Sequence, residues 1–431
     1  MKIAIAGYGL EGKASLSYWN TPENELTVVD ERESIDDLPS DVNTILGSDA
    51  FTKLNGFDLV VRTAGLAPSK IVTDGKIWSA TNEFFAKFPA PIIGVTGTKG
   101  KGTTASMIAS IAKAAGKNVH LVGNIGTSAL DVLSRVAPDD IVVFELSSFQ
   151  LWDIERSPHI AVVLMIEPDH LDVHANFEEY ITAKANIRRY QQEGDYCVYH
   201  PTNELSHKIA TESNNKSEAA RYGIADDGQV YVKENTFFVQ DRAICSVDAL
   251  QIPGVHNQEN ACAAISAALQ AGIGSDAVEQ GLRAFTGLDH RLKFVKEVNG
   301  IKYYDDSIAT TPGSAIAAMK AFSEPKILIL GGSSKGADFN ELAQVAAISN
   351  VKHTFLIGEE AANLSVALGA TGVTSTTLSS TVTMNDIVEQ TRNYATTGDI
   401  VILSPACASF GMFKNYADRG DQFIAAVQQL A

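Results

Sequence analysis

Thr96-Gly97-Thr98-Lys99-Gly100-Lys101-Gly102-Thr103-Thr104 follows the apolar run Ile92–Val95 and precedes a helical pattern from Thr104 to about Ala115, closed by Gly116. Strand, glycine turn and helix start, in that order, are what a phosphate loop requires. The glycines let backbone N–H groups turn toward phosphate oxygens free of Cβ clashes, and the helix N-terminus adds positive potential. Lys101 is placed to reach β- and γ-phosphates, and Thr103 offers a hydroxyl to Mg²⁺. The loop departs from a strict Walker A pattern, because Val95 rather than Gly stands five residues before Gly100. A bare β–α turn would leave Lys99 and Lys101 beside three glycines unexplained. A non-nucleotide phosphate is the alternative ligand.

Two more β-like runs feed turns of the same kind. Lys2–Ala6 leads into Gly7-Tyr8-Gly9-Leu10-Glu11-Gly12, and Ile301–Tyr304 into Asp305-Asp306-Ser307. Short strands alternating with amphipathic helices after each predict three α/β units with mainly parallel sheets. Phe88-Pro89-Ala90-Pro91 reads as a linker, since two prolines discourage a helix. The expected domains are 1–90, 91–288 and 289–431. Tyr196 to Val255 is richer in β-formers and is expected to form an antiparallel addition to the central sheet.

Composition agrees. A chain of 431 residues is too long for one ordinary core, so two or three domains are expected. Hydrophobic residues at 45% and charged residues at 20% fit a globular enzyme. A formal net charge of −17 repels nucleic acid and anionic membranes, so neither is expected as a partner. The longest apolar run, Ile160–Ile166, is too short to span a bilayer, and the start MKIAIAGYGL lacks the features of a signal peptide. Cys197, Cys245, Cys262 and Cys407 are scattered without CxxC pairing, as expected of reduced thiols in the cytoplasm.

Several polar residues stand where an open α/β sheet binds ligands. Glu145 and His170 lie just past the β-runs Ile141–Phe144 and Ala161–Ile166, and a carboxylate and an imidazole there suit Mg²⁺. Asn257 and Asn260 bracket one helical turn, so both amides can face one ligand. By themselves, Lys184 reads as a surface lysine and Arg291 as half of a surface salt bridge. Gly7-x-Gly9-x-x-Gly12 with Asp30 after the next β-run is the pattern of NAD-binding domains. A dehydrogenase built on it would leave the phosphate loop, Glu145 and His170 without a role.

The GTxGKGT form resembles the Mur ligases and the folylpolyglutamate synthases. Further motifs fall in the order of the Mur ligase family: Glu145-Leu146-Ser147-Ser148-Phe149-Gln150-Leu151, Asp169-His170-Leu171-Asp172-Val173-His174, Tyr180 to Lys184, His256-Asn257-Gln258-Glu259-Asn260 and Asp289-His290-Arg291. Gly123-Asn124-Ile125-Gly126, the Glu145–Leu151 form and Leu403 to Phe410 with Lys414 to Gly420 are similar to the D-glutamate-adding members. The resemblance spans essentially the whole chain.

It implies three domains: a Rossmann-like one binding a UDP-sugar, a central ATPase-like one, and a Rossmann-like one capturing an amino acid. The activity implied is ATP-dependent amide formation on UDP-N-acetylmuramoyl-L-alanine with D-glutamate, in a monomer. Gly97, Thr98, Lys99, Gly100, Lys101, Gly102, Thr103 and Thr104 would bind ATP with Asn257, Asn260, Arg291 and Asp306. Thr103, Glu145, His170 and a carbamylated Lys184 would hold two Mg²⁺ ions, with Lys101, His170 and Lys184 catalytic. Leu10, Glu11, Asp30, Thr63, Asn124 and Ser147 would contact the UDP-sugar, and Thr310, Lys335, Ser409, Phe410 and Tyr416 the amino acid. Glu11 stands where a small hydroxyl residue is common in the family. Ile308 stands where a lysine is common, which removes one cationic contact.

Overall fold

The computed structural model describes residues 1–39, 42–123, 127–170, 173–200, 202–211, 217–223, 229–334 and 336–430. The chain divides into two compact units. One comprises Met1–Leu250 and Gln258–Phe285, the other Gln251–Asn257 and Thr286–Ala431.

The first unit opens with β1 (Lys2–Ala6), β2 (Glu25–Asp30), β3 (Asn43–Leu46), β4 (Leu59–Arg62) and β5 (Lys76–Ser79). All pair in parallel, in the order β3-β2-β1-β4-β5. The order reverses between β1 and β4, which opens a crevice at their carboxyl ends. Gly7, Asp30 and Thr63 stand there.

The same unit continues with β6 (Ile92–Thr96), β7 (Val119–Gly123), β8 (Ile141–Glu145), β9 (Ile160–Val163), β10 (Tyr196–Tyr199) and β11 (Glu218–Arg221). These are also parallel, in the order β11-β10-β9-β6-β8-β7. β6 and β9 are buried at every position, as apolar strands covered on both faces should be. Phe144 of β8 packs edge-on against Phe84 of the helix Ala80–Lys87, with centroids 5.6 Å apart. Burying a ring of that size contributes roughly 1.5–3 kcal/mol, so the helix Ala80–Lys87 is held firmly to the central sheet.

The antiparallel segment differs from expectation in its extent. β10 and β11 extend the parallel sheet, and only β12 (Val230–Lys233), β13 (Thr236–Val239) and β14 (Arg242–Ser246) run antiparallel, as a sheet of their own. Glu234 and Asn235 take positive φ of 47° and 60°, the turn that matches the twist of a tight hairpin.

The second unit holds β15 (Lys293–Val298), β16 (Ile301–Asp305), β17 (Lys326–Gly331), β18 (Val351–Ile357), β19 (Ser375–Thr377) and β20 (Ile400–Leu403). Their order is β15-β16-β20-β17-β18-β19, parallel except for the β15–β16 hairpin turned at Asn299-Gly300. β20 lies between β16 and β17, so Asp306, Ser404 and Gly332 follow neighbouring strand ends.

Candidate functional site

β6 is hydrogen-bonded to both β8 and β9, so the segments leaving their carboxyl ends converge. Gly100 caps the helix Lys101–Ala114 in the left-handed region, at φ 83°. A Cβ there would collide with Asn260 Oδ1, and one on Gly97 would sit 2.7 Å from the Leu164 side chain. The loop therefore needs glycine at both points for conformation and for space. Lys101 Nζ donates to the carbonyls of Gly97 at 3.1 Å and Thr98 at 3.0 Å. The Thr98 hydroxyl lies 2.8 Å from the Tyr180 hydroxyl and accepts from Glu167 N at 2.9 Å. Thr103 is buried in the first turn, Thr104 donates to Asn260 Oδ1 at 3.3 Å, and exposed Lys99 lies 3.5 Å from Glu167.

Lys184 is not on the surface. The helix Phe177–Arg189 points it inward, where it is 1% exposed. Its Nζ donates to Gly97 O at 2.8 Å and Thr96 Oγ1 at 3.4 Å, and lies 4.7 Å from the centre of the Tyr180 ring. Burial pushes the ammonium well below the ordinary lysine range, Lys101 pushes it the same way, and Asp169 and Glu145 oppose. Such burial favours the neutral, nucleophilic form of the amine over the ammonium.

Glu145 ends β8 and is 6% exposed. Ser147, two residues on, makes a capping box: its Oγ accepts from Gln150 N at 3.2 Å and its own N donates to Gln150 Oε1 at 2.9 Å. His170 takes φ 54°, rare for a residue with a Cβ, and its half-exposed ring rests 4.9 Å from Phe149. Left-handed backbone away from glycine costs about 1–3 kcal/mol and concentrates at functional sites.

Sequence reasoning gave no role to His174, which is 2% exposed. It stacks 5.3 Å from Phe149 and bonds Ser148 Oγ at 2.9 Å, bracing the ring that supports His170. Among the described residues no group of three or more His, Cys, Asp or Glu is gathered for a metal. The available donors are a hydroxyl, a carboxylate, an imidazole and an amine.

In the N-terminal crevice a Cβ on Gly7 would collide with the Thr63 side chain. Asp30 accepts from Tyr8 N at 2.8 Å and from Arg32 Nε and Nη2 at 2.8 and 2.9 Å, and Arg32 holds its carboxyl down at about 2. Arg32 went unnoticed in the sequence, although an arginine two residues past a strand-end aspartate was the available signal. Glu11 Oε2 accepts from Ala64 N at 2.6 Å, and burial raises its carboxyl. Leu10 is 88% exposed. Asn124 lies outside the described residues.

In the second unit Asp306 is buried. It accepts from Leu292 N at 3.1 Å and Ser404 Oγ at 2.7 Å, and burial pushes its carboxyl up to about 7. Asp305 holds His290 Nδ1 at 2.7 Å, beside exposed Arg291. Buried Arg419 donates to Ser307 Oγ at 2.9 Å, to Ser307 O at 2.8 Å and to the carbonyls of Cys407 and Ala408 at 3.3 Å. It thereby clamps the turn after β16 to the one after β20. Ser409 is buried, Thr310 and Ile308 half-buried, and Phe410 and Tyr416 exposed. The Asn257 amide donates to Pro253 O at 2.6 Å. Lys335 lies outside the described residues.

These features have counterparts in known proteins. Residues 95–268 match the Mur ligase middle domain and residues 290–407 the Mur ligase, glutamate ligase domain. The chain is 32% identical to a UDP-N-acetylmuramoylalanine–D-glutamate ligase of Clostridium tetani, over 100% of this chain and 97% of that one. It is 35% identical to the enzyme of that name from Caldanaerobacter subterraneus, over 100% and 98%. In fold it is similar to UDP-N-acetylmuramate–alanine ligase MurC of Thermotoga maritima, with TM-score 0.63 at 16% identity over 99% of each chain. It is likewise similar to the MurF ligase of Thermotoga maritima, solved in complex with ADP, with TM-score 0.60 at 16% identity over 99% of this chain and 93% of that one. With relatives above 30% identity along its whole length, the chain belongs to the Mur ligase family.

Proposed function

We propose that this protein joins D-glutamate to UDP-N-acetylmuramoyl-L-alanine at the expense of ATP, supplying a peptidoglycan precursor. The observation that supports it most is Lys184, a buried amine on the phosphate-loop carbonyl of Gly97 and within electrostatic reach of Glu145 and Lys101. An NAD-dependent dehydrogenase or a non-enzymatic nucleotide-binding scaffold has no use for that arrangement. The full-length relatives carry the name of this activity.

A carboxylate acylates poorly because its leaving group would be oxide. In the proposed route the L-alanyl carboxylate oxygen attacks the γ-phosphorus and the bond to the β-phosphate oxygen breaks, giving an acyl-phosphate and ADP. The amine of D-glutamate then attacks the acyl carbon, loses a proton, and inorganic phosphate leaves. Lys101 and the N–H groups of Gly97 to Thr104 stabilise charge on the transferring phosphoryl group. Thr103, Glu145, His170 and Lys184 would hold Mg²⁺, two ions in all, which supplies charge neutralisation between triphosphate and carboxylate. For Lys184 this needs carbamylation: the neutral amine adds to CO₂ and gives up a proton, leaving a carboxylate-like ligand. Its displaced proton affinity fits that chemistry.

In this reading Leu10, Glu11, Asp30, Thr63, Asn124 and Ser147 serve the UDP-sugar, Glu11 through the backbone of Ala64. Asn257, Asn260, Arg291 and Asp306 serve the nucleotide, and Thr310, Lys335, Ser409, Phe410 and Tyr416 the amino acid. The functional division is 1–90, 91–288 and 289–431, in a cytoplasmic monomer. No helix among the described residues is long and apolar enough to cross a membrane.

The test is phosphate release from ATP and Mg²⁺ with UDP-N-acetylmuramoyl-L-alanine and, separately, D-glutamate, L-glutamate and other amino acids. Turnover with D-glutamate alone is expected despite Ile308. Turnover only with another amino acid would move the specificity, and none at all would sink the nucleotide-sugar assignment.

A further inference from the structure

One buried guanidinium joins two places that the reaction must keep in register. Arg62 is the last residue of β4, and its side chain is 0% exposed. It forks onto Asp153, with Nε to Oδ2 at 2.7 Å and Nη2 to Oδ1 at 2.5 Å. Its remaining hydrogens hold backbone carbonyls: Thr63, Ala64 and Leu66 at 3.2–3.3 Å from Nη1, and Phe149 at 3.0 Å from Nη2. Two segments 83 residues or more apart thus hang on one planar group.

The first segment, Thr63 to Leu66, borders the N-terminal crevice. Glu11 grips it from the other side through Ala64 N. The second is the short helix Ser148–Leu151 that follows Glu145, and its Phe149 ring carries His170 at 4.9 Å. Asp153 is fixed in turn, because Asn82 Nδ2 donates to Asp153 O and Glu155 N donates to Asn82 Oδ1, both at 2.9 Å. A lysine could not make these contacts, since only a guanidinium offers five donors in a fixed plane.

We propose that Arg62 is a positioning residue that sets the nucleotide-sugar loop Thr63–Leu66 against the Glu145–Phe149–His170 segment. It thereby fixes where the substrate carboxylate arrives relative to the phosphoryl group. The inference rests on the ligase reading for its substrates. The phosphate loop makes no bond to Arg62 among the described residues, and Glu145 is held in β8 by its pairing with β6 whatever stands at 62, so a change there displaces the sugar loop against a phosphate site that stays in place.

The experiment uses the full chain with Arg62→Lys and Arg62→Met. It measures KM for each of the three substrates, together with calorimetric titration by UDP, which needs no turnover. Arg62→Lys is expected to raise the nucleotide-sugar KM and weaken UDP binding by roughly ten- to hundredfold, the scale of an ångström misplacement, with the ATP KM within about twofold of wild type. Arg62→Met should do the same or more. If it does not fold, Asp153→Asn, which removes the charge that aims the fork, carries the same comparison. A merely structural role would lower stability and active fraction with all three KM values unmoved, and that result would overturn the proposal, as would a rise in all three together. A wild type without turnover would sink the ligase reading alone, for equal UDP affinity in wild type and Arg62→Lys would still refute the role of Arg62. A wild type that binds no UDP would refute both.

Discussion

Replacing Lys184 by methionine should leave the fold as stable as before, or more so, while destroying the activity. Methionine keeps the length and apolar stem and removes the ammonium. What is lost is the bond from Nζ to Gly97 O at 2.8 Å and the long one to Thr96 Oγ1. A bond from a charged donor contributes about 1.5–3 kcal/mol. The lower end applies, because Gly97 O also accepts from Lys101 Nζ at 3.1 Å and stays paired. What is gained is relief from burying an ammonium, which costs several kcal/mol per ion and is only partly offset here by Glu145 and Asp169. The balance favours Lys184→Met by about 1–2 kcal/mol near pH 7, a rise of a few degrees in melting temperature.

The pH dependence identifies the cause. The folded chain releases the Lys184 proton at lower pH than the unfolded chain does, so the unfolded chain binds more protons across that window. Wild-type stability therefore rises with pH up to the ordinary lysine value of 10.5, and the advantage of Lys184→Met shrinks over the same range. Scanning calorimetry at pH 7 and 9.5 in carbonate-free buffer measures it, with phosphate release alongside, where kcat should fall by roughly 10²–10³. A variant destabilised by more than about 1 kcal/mol, with a deficit that does not change with pH, would mean that Lys184 is a structural strut and refute the reasoning.

Gly100→Ala should abolish measurable ATP binding, because φ 83° and the collision with Asn260 Oδ1 both displace the start of the phosphate-loop helix. A melting-point loss equivalent to about 1–3 kcal/mol should accompany it, and an alanine variant that binds ATP normally would show that the loop geometry is not what matters. Asp306→Asn should remove a pH-dependent penalty. The folded carboxyl is raised to about 7, so the folded state binds more protons than the unfolded between about pH 4 and 7, and wild-type stability falls as pH rises through that window, by up to about 4 kcal/mol. Melting curves at pH 5 and 8 should show the variant gaining on wild type at the higher pH, and a constant gap would refute it.

What the sequence disclosed about the site was what is local. Gly100 and Lys101 could be placed because a strand, a glycine turn and a helix start lie within a dozen residues, and each constrains the next. Lys184 could not be seen to be buried. The groups that receive it, Thr96 and Gly97, lie 88 and 87 residues upstream, and nothing in Y-I-T-A-K distinguishes an inward lysine from an outward one. Arg62 and Arg419 were illegible for the same reason, since their side-chain partners, Asp153 and Ser307, lie 91 and 112 residues away and their other acceptors are carbonyls, which every residue carries. The segment after Tyr196 was read as antiparallel because β-formers mark a strand without marking its partner. Register with β9 makes β10 parallel, and that is a tertiary fact.

The cations found this way resolve an apparent conflict. With a net charge of −17 the chain should repel a triphosphate and a nucleotide sugar, both anionic. The acidic surplus acts through water and is screened beyond about 8–10 Å. Lys101 and Lys184 sit instead at the carboxyl end of the central sheet, where Lys184 is buried and Lys101 half-buried so that screening is weakened, and the more exposed Arg32 sits at that of the N-terminal sheet. A substrate anion is thus drawn in only at short range, where loop N–H groups add to the side chains. The same burial that makes Lys184 costly as an ammonium makes it useful as a neutral amine, so the stability that Lys184→Met would gain is the thermodynamic trace of its chemistry.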